Sequence, residues 1–428
     1  MDPSEPAYAR ELFERLFAQL SAIGLDETGA TTRLAWTQET TAAERWFEQT
    51  ARALGLAPER DRNGNLWAWL GERGPGALVT GSHLDSVREG GRFDGALGVV
   101  AGFVAVAVAA RRLGVDTEDG GPLAAVPLGV VAFADEEGGR FDTPTFGSRA
   151  LCGALDVEAA LTRRDRAGVS LRDALEAAGV DPQGIGPDPE RLAQLGALVE
   201  LHIEQDALLE REGCALALGT GIMPHGRWRV DLHGQAAHAG TTPLEVRRDP
   251  MLALAAAILA ARREGTAHGA LATVGKVEVS PNGTNAVAGQ VSFWLDIRAH
   301  DEQAVSATLD QVLETTRAQA NRDGVAFEHR RESFTAAVEF SPALRARIES
   351  VLQGEGIQTV PISTGAGHDA GALATAIPTA MLFVRSSGGA GHSPQEHASA
   401  DDCLTGIAAL TDVLISLATQ RSEALADV

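Results

Sequence analysis

The sequence predicts an α/β fold in two domains: one on a mainly parallel, mixed sheet, and a small α+β domain inserted into it. Apolar runs typical of buried strands, each followed by polar residues, occur before residue 224 and again after residue 335. The segment between them has a different order of predicted strands and helices. The length of 428 residues also exceeds what one hydrophobic core usually supports. We therefore expect one domain from residues 1–223 and 336–428, and the inserted domain at 224–335.

The first domain starts with a strand–helix–strand unit. Residues 77–84 and 123–135 read as buried strands, and the alanine-rich segment 96–112 between them reads as a helix. This order and spacing predict a right-handed crossover between two parallel strands. Because ligands of open α/β sheets gather at the carboxyl ends of the strands, the polar residues that follow these strands are candidate site residues.

The inserted segment follows a different order. Strands are predicted at 227–234, 270–280, 287–299 and 324–334, and helices at 249–263 and 301–320. The order β-α-β-β-α-β is that of a split βαβ, ferredoxin-like domain. After this segment the pattern of the first domain returns, with a helix predicted at 342–352, a strand at 379–385 and a final helix from residue 401.

Composition restricts the partners and the compartment. A net charge of −22 argues against nucleic acid and anionic membranes as partners, because both are themselves negative. No uninterrupted apolar run reaches the ~18 residues of a membrane span, and the acidic N-terminus does not resemble a secretory signal. Three widely spaced cysteines fit a reducing compartment, so we expect a cytoplasmic protein.

Histidine and carboxylate side chains follow the first two predicted strands. The glycine-rich segment 81–95 contains His83, Asp85 and Asp94, and the second strand is followed by Glu136 and Glu137. Imidazole and carboxylate groups on loops after strands are the ligands that a Zn²⁺-type site uses. Adjacent glutamates at a buried strand end are costly unless a metal ion or protons absorb their charge.

Two later segments add histidines. Strand alternation in the segment 200–205 places His202 and Glu204 on one face, and His392 and His397 lie in a glycine-rich loop after another strand. The glutamate pair and the two later segments are each, alone, more often an acidic turn, a satisfied buried histidine or an ordinary loop than a site, whereas the segment 81–95 alone slightly favours metal binding. Together they have the composition of a dinuclear centre, in which two metal ions ~3.5–4 Å apart polarise a carbonyl and activate a water.

The inserted domain contributes candidates for binding an anion. His238 and Asn285 lie in polar loops, and Arg298 lies on a predicted strand. A guanidinium on a strand can hold a carboxylate through two parallel hydrogen bonds. The alternative for Arg298 is a surface ion pair, which is the more usual state of an arginine.

The order of the motifs resembles the M20-type metallopeptidase superfamily, and within it the hydantoinase/carbamoylase branch. The matching motifs are GSHLDSVREGGRFDGALGV, DEEGGRF, ELHIEQ, HAGTTP, NGTNAV, LDIR, GAGHDA and GHSPQEH. That branch includes allantoate amidohydrolase, N-carbamoyl-L-amino acid hydrolase, β-ureidopropionase and ureidoglycolate amidohydrolase. The resemblance spans about residues 30–415. It implies a zinc-peptidase-like catalytic domain, with the inserted domain acting as a lid and dimerisation domain.

The resemblance also implies two divalent metal ions per subunit, usually Zn²⁺, with Mn²⁺, Co²⁺ or Ni²⁺ as alternatives. The implied ligands are His83 and His202 for one ion, Glu137 and His392 for the other, and Asp94 for both. Glu136 would be the general base, Asp85 would orient His83, and His238 would stabilise the oxyanion from the partner subunit of a homodimer. The implied substrate-binding residues are Gln205, Arg227, Asn285, Arg298 and His368.

Departures from the family pattern leave the substrate open. His202 stands where peptidase relatives usually have glutamate, which favours an amidase over an aminopeptidase. Asp206, Gly226 and Ala288 stand where family members often have glycine, arginine and proline. The expected substrate is a small anionic ureido or N-acyl compound: allantoate first, with an N-carbamoyl-, N-formyl- or N-acyl-L-amino acid or β-ureidopropionate as the alternative. A catalytically degenerate binding protein would have a broken ligand set, and this sequence has a complete one.

Overall fold

The computed structural model describes residues 4–115 and 127–419. The chain divides into two compact units, Met1–Gly221 with Glu339–Val428, and Ile222–Val338. Each unit has its own cluster of buried apolar side chains.

The larger unit contains most of the helices and strands. Its strands are β1 (Ala57–Arg60), β2 (Leu66–Leu70), β3 (Ala77–His83), β4 (Leu128–Phe133), β5 (Leu195–Ile203), β6 (Leu216–Ile222), β13 (Val338–Glu339), β14 (Thr359–Thr364) and β15 (Thr379–Val384), of which β6 and β13 each reach one residue past its boundary. Its helices are α1 (Glu5–Ser21), α2 (Gln38–Ala53), α3 (Ala96–Arg112), α4 (Phe146–Leu151), α5 (Val157–Leu161), α6 (Leu171–Ala177), α7 (Pro189–Leu192), α8 (Leu208–Glu212), α11 (Pro342–Gly354), α12 (Asp369–Leu373) and α13 (Ala400–Thr419).

These strands form one mixed sheet with a parallel centre. The strand order is β1-β2-β4-β3-β5-β15-β6-β13, and β14 pairs with β6. The four central strands, β4, β3, β5 and β15, are parallel to one another. The flanking pairs β1–β2, β2–β4 and β15–β6 are antiparallel. The predicted α/β class with a mainly parallel, mixed sheet is confirmed, and the carboxyl ends of the four parallel strands meet at one edge.

The strand–helix–strand unit has the predicted order. Helix α3 covers the predicted residues 96–112, and β3 ends at His83, one residue before the predicted end. The second strand is described as Leu128–Phe133, and residues 123–126 of its predicted range lie outside the described residues. Because β4 ends before Glu136, that glutamate lies on the loop at the sheet edge rather than within the sheet.

Helices α3 and α13 pack together over the sheet. Helix α3 is buried almost all round, and a Cβ at Gly98 would lie 2.3 Å from the Leu201 carbonyl oxygen, so glycine permits close contact with β5. Among the described residues, α13 is long and apolar enough to cross a membrane, with a hydropathy of 1.4 over a window that is 61% buried. Its buried residues lie in the core with α3, which is the packing of a core helix.

The smaller unit is built on an antiparallel sheet. Its strands are β7 (His225–His233), β8 (Ala237–His238), β9 (Ala270–Ser280), β10 (Ala286–Val287), β11 (Gln290–Ala299) and β12 (Ala326–Thr335), and its helices are α9 (Pro250–His268), α10 (Glu302–Arg322) and the 3₁₀ turn Leu244–Val246. The sheet order is β12-β7-β11-β9, with β8 and β10 as a separate pair. Alternate residues of β11, from Val291 to Ile297, are buried with α9 and α10, so the charged residues of β7 and β11 lie on the opposite face.

Candidate metal centre

Asp94 lies at the centre of the group of polar residues at the sheet edge. It occupies the tight turn between β3 and α3, directly before Gly95, whose φ is +66°. A Cβ at Gly95 would lie 2.4 Å from the His83 ring, so only glycine lets this turn pass so close to the end of β3. The Asp94 carboxylate is thereby brought against the histidines of the neighbouring strands.

One oxygen of Asp94 faces two buried histidines. Its Oδ1 lies 3.3 Å from Nε2 of His83 and 3.1 Å from Nε2 of His202. The other ring nitrogen of each histidine lies near a backbone carbonyl oxygen. Nδ1 of His83 is 3.0 Å from the Asp85 carbonyl oxygen, and Nδ1 of His202 is 2.8 Å from the Ile203 carbonyl oxygen. Each Nδ1 donates its proton to that carbonyl, so a neutral ring would direct an Nε2 lone pair at Asp94, and only a protonated ring could donate to it. We call His83, Asp94 and His202 the inner position.

The other oxygen of Asp94 faces a second group. His392 Nε2 lies 3.4 Å from Asp94 Oδ2 and 3.5 Å from Glu137 Oε2. The His392 side chain is 54% exposed, so this group is open to solvent, unlike the inner position. We call Asp94, Glu137 and His392 the outer position.

The two positions have the composition and spacing of a dinuclear metal site. Ligand atoms of a tetrahedral Zn²⁺ site with bonds of about 2.0 Å lie about 3.3 Å apart, close to the distances in both groups. Nε2 of His83, Nε2 of His202 and Oε1 of Glu137 are buried and have no hydrogen-bond partner among the described residues. Buried polar atoms are rarely left in this state, so the two groups fit two divalent metal ions that share Asp94.

Burial and neighbouring charges shift the pKa values of the carboxyl groups in the site. Burial raises the pKa of Glu137 to about 7, and the nearby Asp94 charge adds to the effect. Burial also holds the pKa of Glu136 well above its usual value, although His83 opposes this. Burial would raise the pKa of Asp94 too, but hydrogen bonding to the protonated forms of His202, His392 and His83 in the metal-free site outweighs it and holds that pKa well below the usual value. Asp94 is thus the carboxylate that stays ionised.

Glu136 and Asp85 lie beside the inner position. Glu136 Oε2 is 3.8 Å from Nε2 of His83. The Asp85 carboxylate accepts the backbone N–H groups of Glu136 and Glu137, each at 3.1 Å, and its Oδ1 is 3.7 Å from Nδ1 of His83. Asp85 therefore connects the loops after β3 and β4, and its backbone carbonyl is the closer partner of the His83 ring.

Two predicted substrate residues lie against the same ligands. Gln205 Nε2 donates a hydrogen bond of 2.8 Å to Asp94 Oδ2. His368 lies before α12, and its ring centroid is 4.5 Å from that of His202. Burial holds the pKa of His368 well below its usual value, and the His202 charge lowers it further, so this ring is neutral.

Three buried polar residues at this edge were not predicted. Glu200 accepts hydrogen bonds from Ser82 Oγ at 2.6 Å and from the Ala370 N–H at 3.1 Å. Glu396 accepts two backbone N–H groups next to Asp94, and the guanidinium of Arg33 donates to the Leu84 carbonyl oxygen beside His83. Glu200 and Glu396 lie within motifs that carry predicted ligands, two residues before His202 and four residues after His392, which is the signal that could have found them.

The predicted residues His238 and Asn285 are neighbours in the smaller unit. His238 of β8 pairs with β10, and the Ala239 N–H donates to the Asn285 carbonyl oxygen at 2.9 Å. His238 Nδ1 accepts the Gly240 N–H at 3.0 Å. An Nδ1 that accepts leaves the proton on Nε2, so the exposed imidazole presents an N–H donor.

The two predicted arginines flank one carboxylate on the charged face of the smaller unit's sheet. Arg298 Nε lies 2.9 Å from Asp296 Oδ1, and an Arg227 guanidinium nitrogen lies 3.4 Å from Asp296 Oδ2. The three side chains together carry one net positive charge. This arrangement suits a single carboxylate better than a dianion.

A mixed α/β sheet whose carboxyl edge brings histidines and carboxylates together in two groups fits a dinuclear metal site. The chain belongs to peptidase family M20/M25/M40, whose family model matches residues 79–416.

Similar full-length proteins place the chain among the amidohydrolases of that family. It is 37% identical over 413 residues to the N-carbamoyl-L-amino acid amidohydrolase of Geobacillus stearothermophilus, covering 95% of this chain and 98% of that one. It is 33% identical over 419 residues to the allantoate amidohydrolase of Escherichia coli (strain K12), covering 96% and 99%.

A solved structure agrees with this placement. The amidase of the hydantoinase/carbamoylase family from Burkholderia multivorans superposes with a TM-score of 0.82 at 29% identity, covering 96% of this chain and 98% of that one. The predicted resemblance is confirmed, and the chain is a hydrolase acting on non-peptide amide bonds.

Proposed function

We propose that the protein hydrolyses allantoate, cleaving a terminal ureido C–N bond. The observation that carries the hydrolytic part of the proposal is Asp94, whose two oxygens face two ligand groups with Glu136 beside them, and the choice of allantoate comes from the family resemblance. Water would add to the ureido carbonyl, and the C–N bond would break to release ammonia and a carbamate. Loss of CO₂ from the carbamate would leave ureidoglycine.

The metal ions are proposed to be Zn²⁺, with Mn²⁺, Co²⁺ or Ni²⁺ as alternatives. When bound, such ions polarise the carbonyl and lower the pKa of water. The chain's own part is proton transfer: the Glu136 carboxylate takes the proton of the attacking water and returns it to the leaving nitrogen. Its burial among carboxylates favours that role, because a raised pKa suits a group that must both accept and donate.

Residues of the smaller unit are proposed to bind the substrate. Arg298 and Arg227 would hold its carboxylate, and the Nε2–H of His238 would donate to the developing oxyanion from the partner subunit. Asn285 lies beside His238, and Gln205 and His368 lie beside the ligands. These roles come from the family resemblance, and the donor tautomer of His238 and the net charge around Asp296 support them.

A second candidate substrate is an N-carbamoyl-L-amino acid, with N-formyl- or N-acyl-amino acids and β-ureidopropionate in the same class. Gly226 favours it, because family members often have arginine there. A Cβ at Gly226 would lie 2.3 Å from the Trp228 ring, so an arginine at this position would meet Trp228 on the helix side of the sheet. The protein therefore has one arginine fewer on this strand than family members often have, although the Gly226 position faces away from Arg227 and Arg298.

A substrate panel tests both candidates. The metal-loaded protein would be assayed for ammonia release and amine formation on allantoate beside N-carbamoyl- and N-formyl-L-amino acids, with Glu136→Gln as the control. We expect turnover of allantoate that the control lacks. Turnover of carbamoyl-amino acids but not of allantoate would favour the second candidate substrate over the first. No activity on any substrate of the panel, with two ions bound, would favour the catalytically degenerate binding protein.

We also propose that the protein is a cytoplasmic homodimer without nucleic acid or membrane partners. Large apolar side chains are exposed on α9 and on β9, the last strand of its sheet: Met251, Leu252, Ile258, Leu259, Leu271 and Val277. Exposed apolar side chains beside a sheet edge are typical of an interface. A second copy that pairs β9 with β9 would cover both features by two-fold symmetry.

A further inference from the structure

We propose that Glu396 is a positioning residue that connects the loop carrying Asp94 to the loop carrying His392, and so controls occupancy of the outer position. The inference rests on the two metal positions and is independent of which substrate is cleaved. Glu396 lies on the loop between β15 and α13, yet it is only 4% exposed. A buried glutamate on a loop needs partners that compensate for its desolvation.

The partners of Glu396 are backbone groups of the bridging turn. Its Oε1 accepts the N–H of Phe93 at 2.9 Å and the N–H of Asp94 at 3.0 Å. These residues are about 300 positions away in the sequence, so the carboxylate joins two loops that no strand pairing connects. The contact is to the backbone of Asp94 itself, and it fixes the direction in which the Asp94 carboxylate leaves the turn.

Gly91 permits this contact. A Cβ at Gly91 would lie 2.3 Å from Glu396 Oε1 and 2.5 Å from its Cβ and Cδ. Real Cβ atoms do not approach other heavy atoms so closely. The absence of a side chain at residue 91 is therefore a condition of the Glu396 connection.

The same loop holds His392 in an uncommon conformation. The φ angle of His392 is +55°, in the left-handed region that residues other than glycine seldom adopt. The Glu396 N–H donates to the Ser393 carbonyl oxygen at 3.0 Å, which closes a turn directly after His392. Such a conformation persists where surrounding contacts hold it, and the buried Glu396 side chain supplies one.

The outer position depends on loops more than the inner position does. His83 and His202 belong to strands β3 and β5, and their rings are fixed by backbone carbonyls. Glu137 and His392 lie on loops, and His392 is half exposed. Loss of the Glu396 connection should therefore weaken the outer ion more than the inner ion, which keeps two histidines held by strands.

The test is a zinc titration of the full-length, metal-depleted protein in competition with a chromophoric chelator, with metal content measured after gel filtration. We expect two ions per wild-type chain. Glu396→Ala should weaken the second ion by about 10–100-fold and leave the first ion within about threefold. Glu396→Gln keeps an acceptor oxygen and should retain two ions.

A matched control separates positioning from general loosening. The Asp61 carboxylate accepts the N–H groups of Asn63 and Asn65 at 2.9 and 3.0 Å in the turn between β1 and β2, which carries no predicted ligand. Asp61→Ala should lower the melting temperature and leave both ions bound. Loss of an ion in Asp61→Ala as well would overturn the inference.

Gly91→Ala provides a second approach if Glu396→Ala does not fold, because it displaces the carboxylate while keeping it. It should also weaken the outer ion, whereas Gly74→Ala, at a glycine with no heavy atom within 4 Å of the added Cβ, should not. Adding Glu396→Ala to His392→Ala, in which the outer position is already lost, should not alter the remaining affinity.

Each outcome tests a different proposal. Two ions bound with wild-type affinity in Glu396→Ala or Gly91→Ala would overturn the positioning role. Fewer than two ions in the wild-type chain would instead overturn the dinuclear centre.

Discussion

The Nε2 atom of His202 lies 3.1 Å from Oδ1 of Asp94, although a neutral His202 presents only a lone pair there. His83 has the same relationship to the same oxygen, at 3.3 Å. Two acceptors at this distance repel each other unless a proton or a cation lies between them. The group of acceptor atoms formed by His83, His202 and Asp94 at the carboxyl edge of the sheet therefore requires a proton or a cation between them.

Asp94→Asn should abolish binding at both positions, because an amide cannot offer two anionic oxygens to two ions. We expect metal content to fall below one ion per chain and activity to fall by at least about 10³-fold, since the ions provide several kcal/mol of transition-state stabilisation. Elemental analysis and the substrate assay provide the measurement. Retention of two ions would refute the shared role of Asp94.

Glu136→Gln should separate proton transfer from metal binding. Because Glu136 belongs to neither position, the variant should keep two ions while kcat falls by about 10²–10⁴-fold. The measurement is kcat and metal content on the same sample. A variant that loses an ion together with its activity would show that Glu136 is a ligand instead.

Metal binding should release protons and strengthen with pH. In the metal-free site, hydrogen bonding to Asp94 and the charge of Glu137 raise the pKa of His392 to about 9, although burial opposes this, and the pKa of Glu137 is raised to about 7. Ions bind the deprotonated ligands, so affinity for the outer ion should rise from pH 6 to pH 9.

Calorimetry in two buffers of different ionisation enthalpy measures the proton release. At pH 8 His392 is still largely protonated and Glu137 largely ionised, so about one proton should leave from the outer position. His392→Asn should reduce that number by about one. An affinity that does not change with pH would contradict the assignment of these two ligands.

Arg298→Gln should raise KM with little change in kcat. The lost guanidinium binds the substrate carboxylate equally in the ground state and the transition state, so the effect should be about 10–100-fold in KM. Arg330→Gln is the matched control, because Arg330 also pairs with a carboxylate of the same sheet, at 3.1 Å from Asp231. An equal effect in both variants would indicate a general loss of charge.

Leu259→Asp should convert the dimer to a monomer. Leu259 is 70% exposed on α9, and a charge there would have to be buried at the proposed interface. Sedimentation at several concentrations gives the mass. Leu25→Asp, at a leucine 48% exposed in the larger unit, should leave the dimer intact. A monomeric wild-type protein would remove the proposal and the trans role of His238 with it.

Much of the candidate site could be predicted from the sequence because its proposed ligands follow strands. His83 ends β3, His202 lies near the end of β5, and Glu137 follows β4. The carboxyl ends of parallel strands meet at one edge, so residues far apart in sequence become neighbours there. The helix 96–112 was predicted for a simpler reason, since an apolar, alanine-rich run of 17 residues is longer than a typical strand and alanine favours a helix.

Contacts between loops were not predictable in the same way. Gln205 reads as a substrate residue from its motif, whereas its amide donates to Asp94 in the structure. Glu396 lies beside a predicted ligand but makes its hydrogen bonds to residues 93 and 94. Hydrophobic periodicity in the sequence does not indicate which backbone N–H group a carboxylate on a loop will accept.

The sequence by itself determined the fold class, the family and the kinds of side chain available at the sheet edge. Hydrophobic periodicity and motif order suffice for these, because both are local properties of the chain. The family resemblance implied which ligands share Asp94, and only the tertiary structure decided which Asp94 oxygen faces each group and at what distance. That geometry depends on close approach between loops, which Gly91 and Gly95 allow and which distances, rather than residue types, reveal.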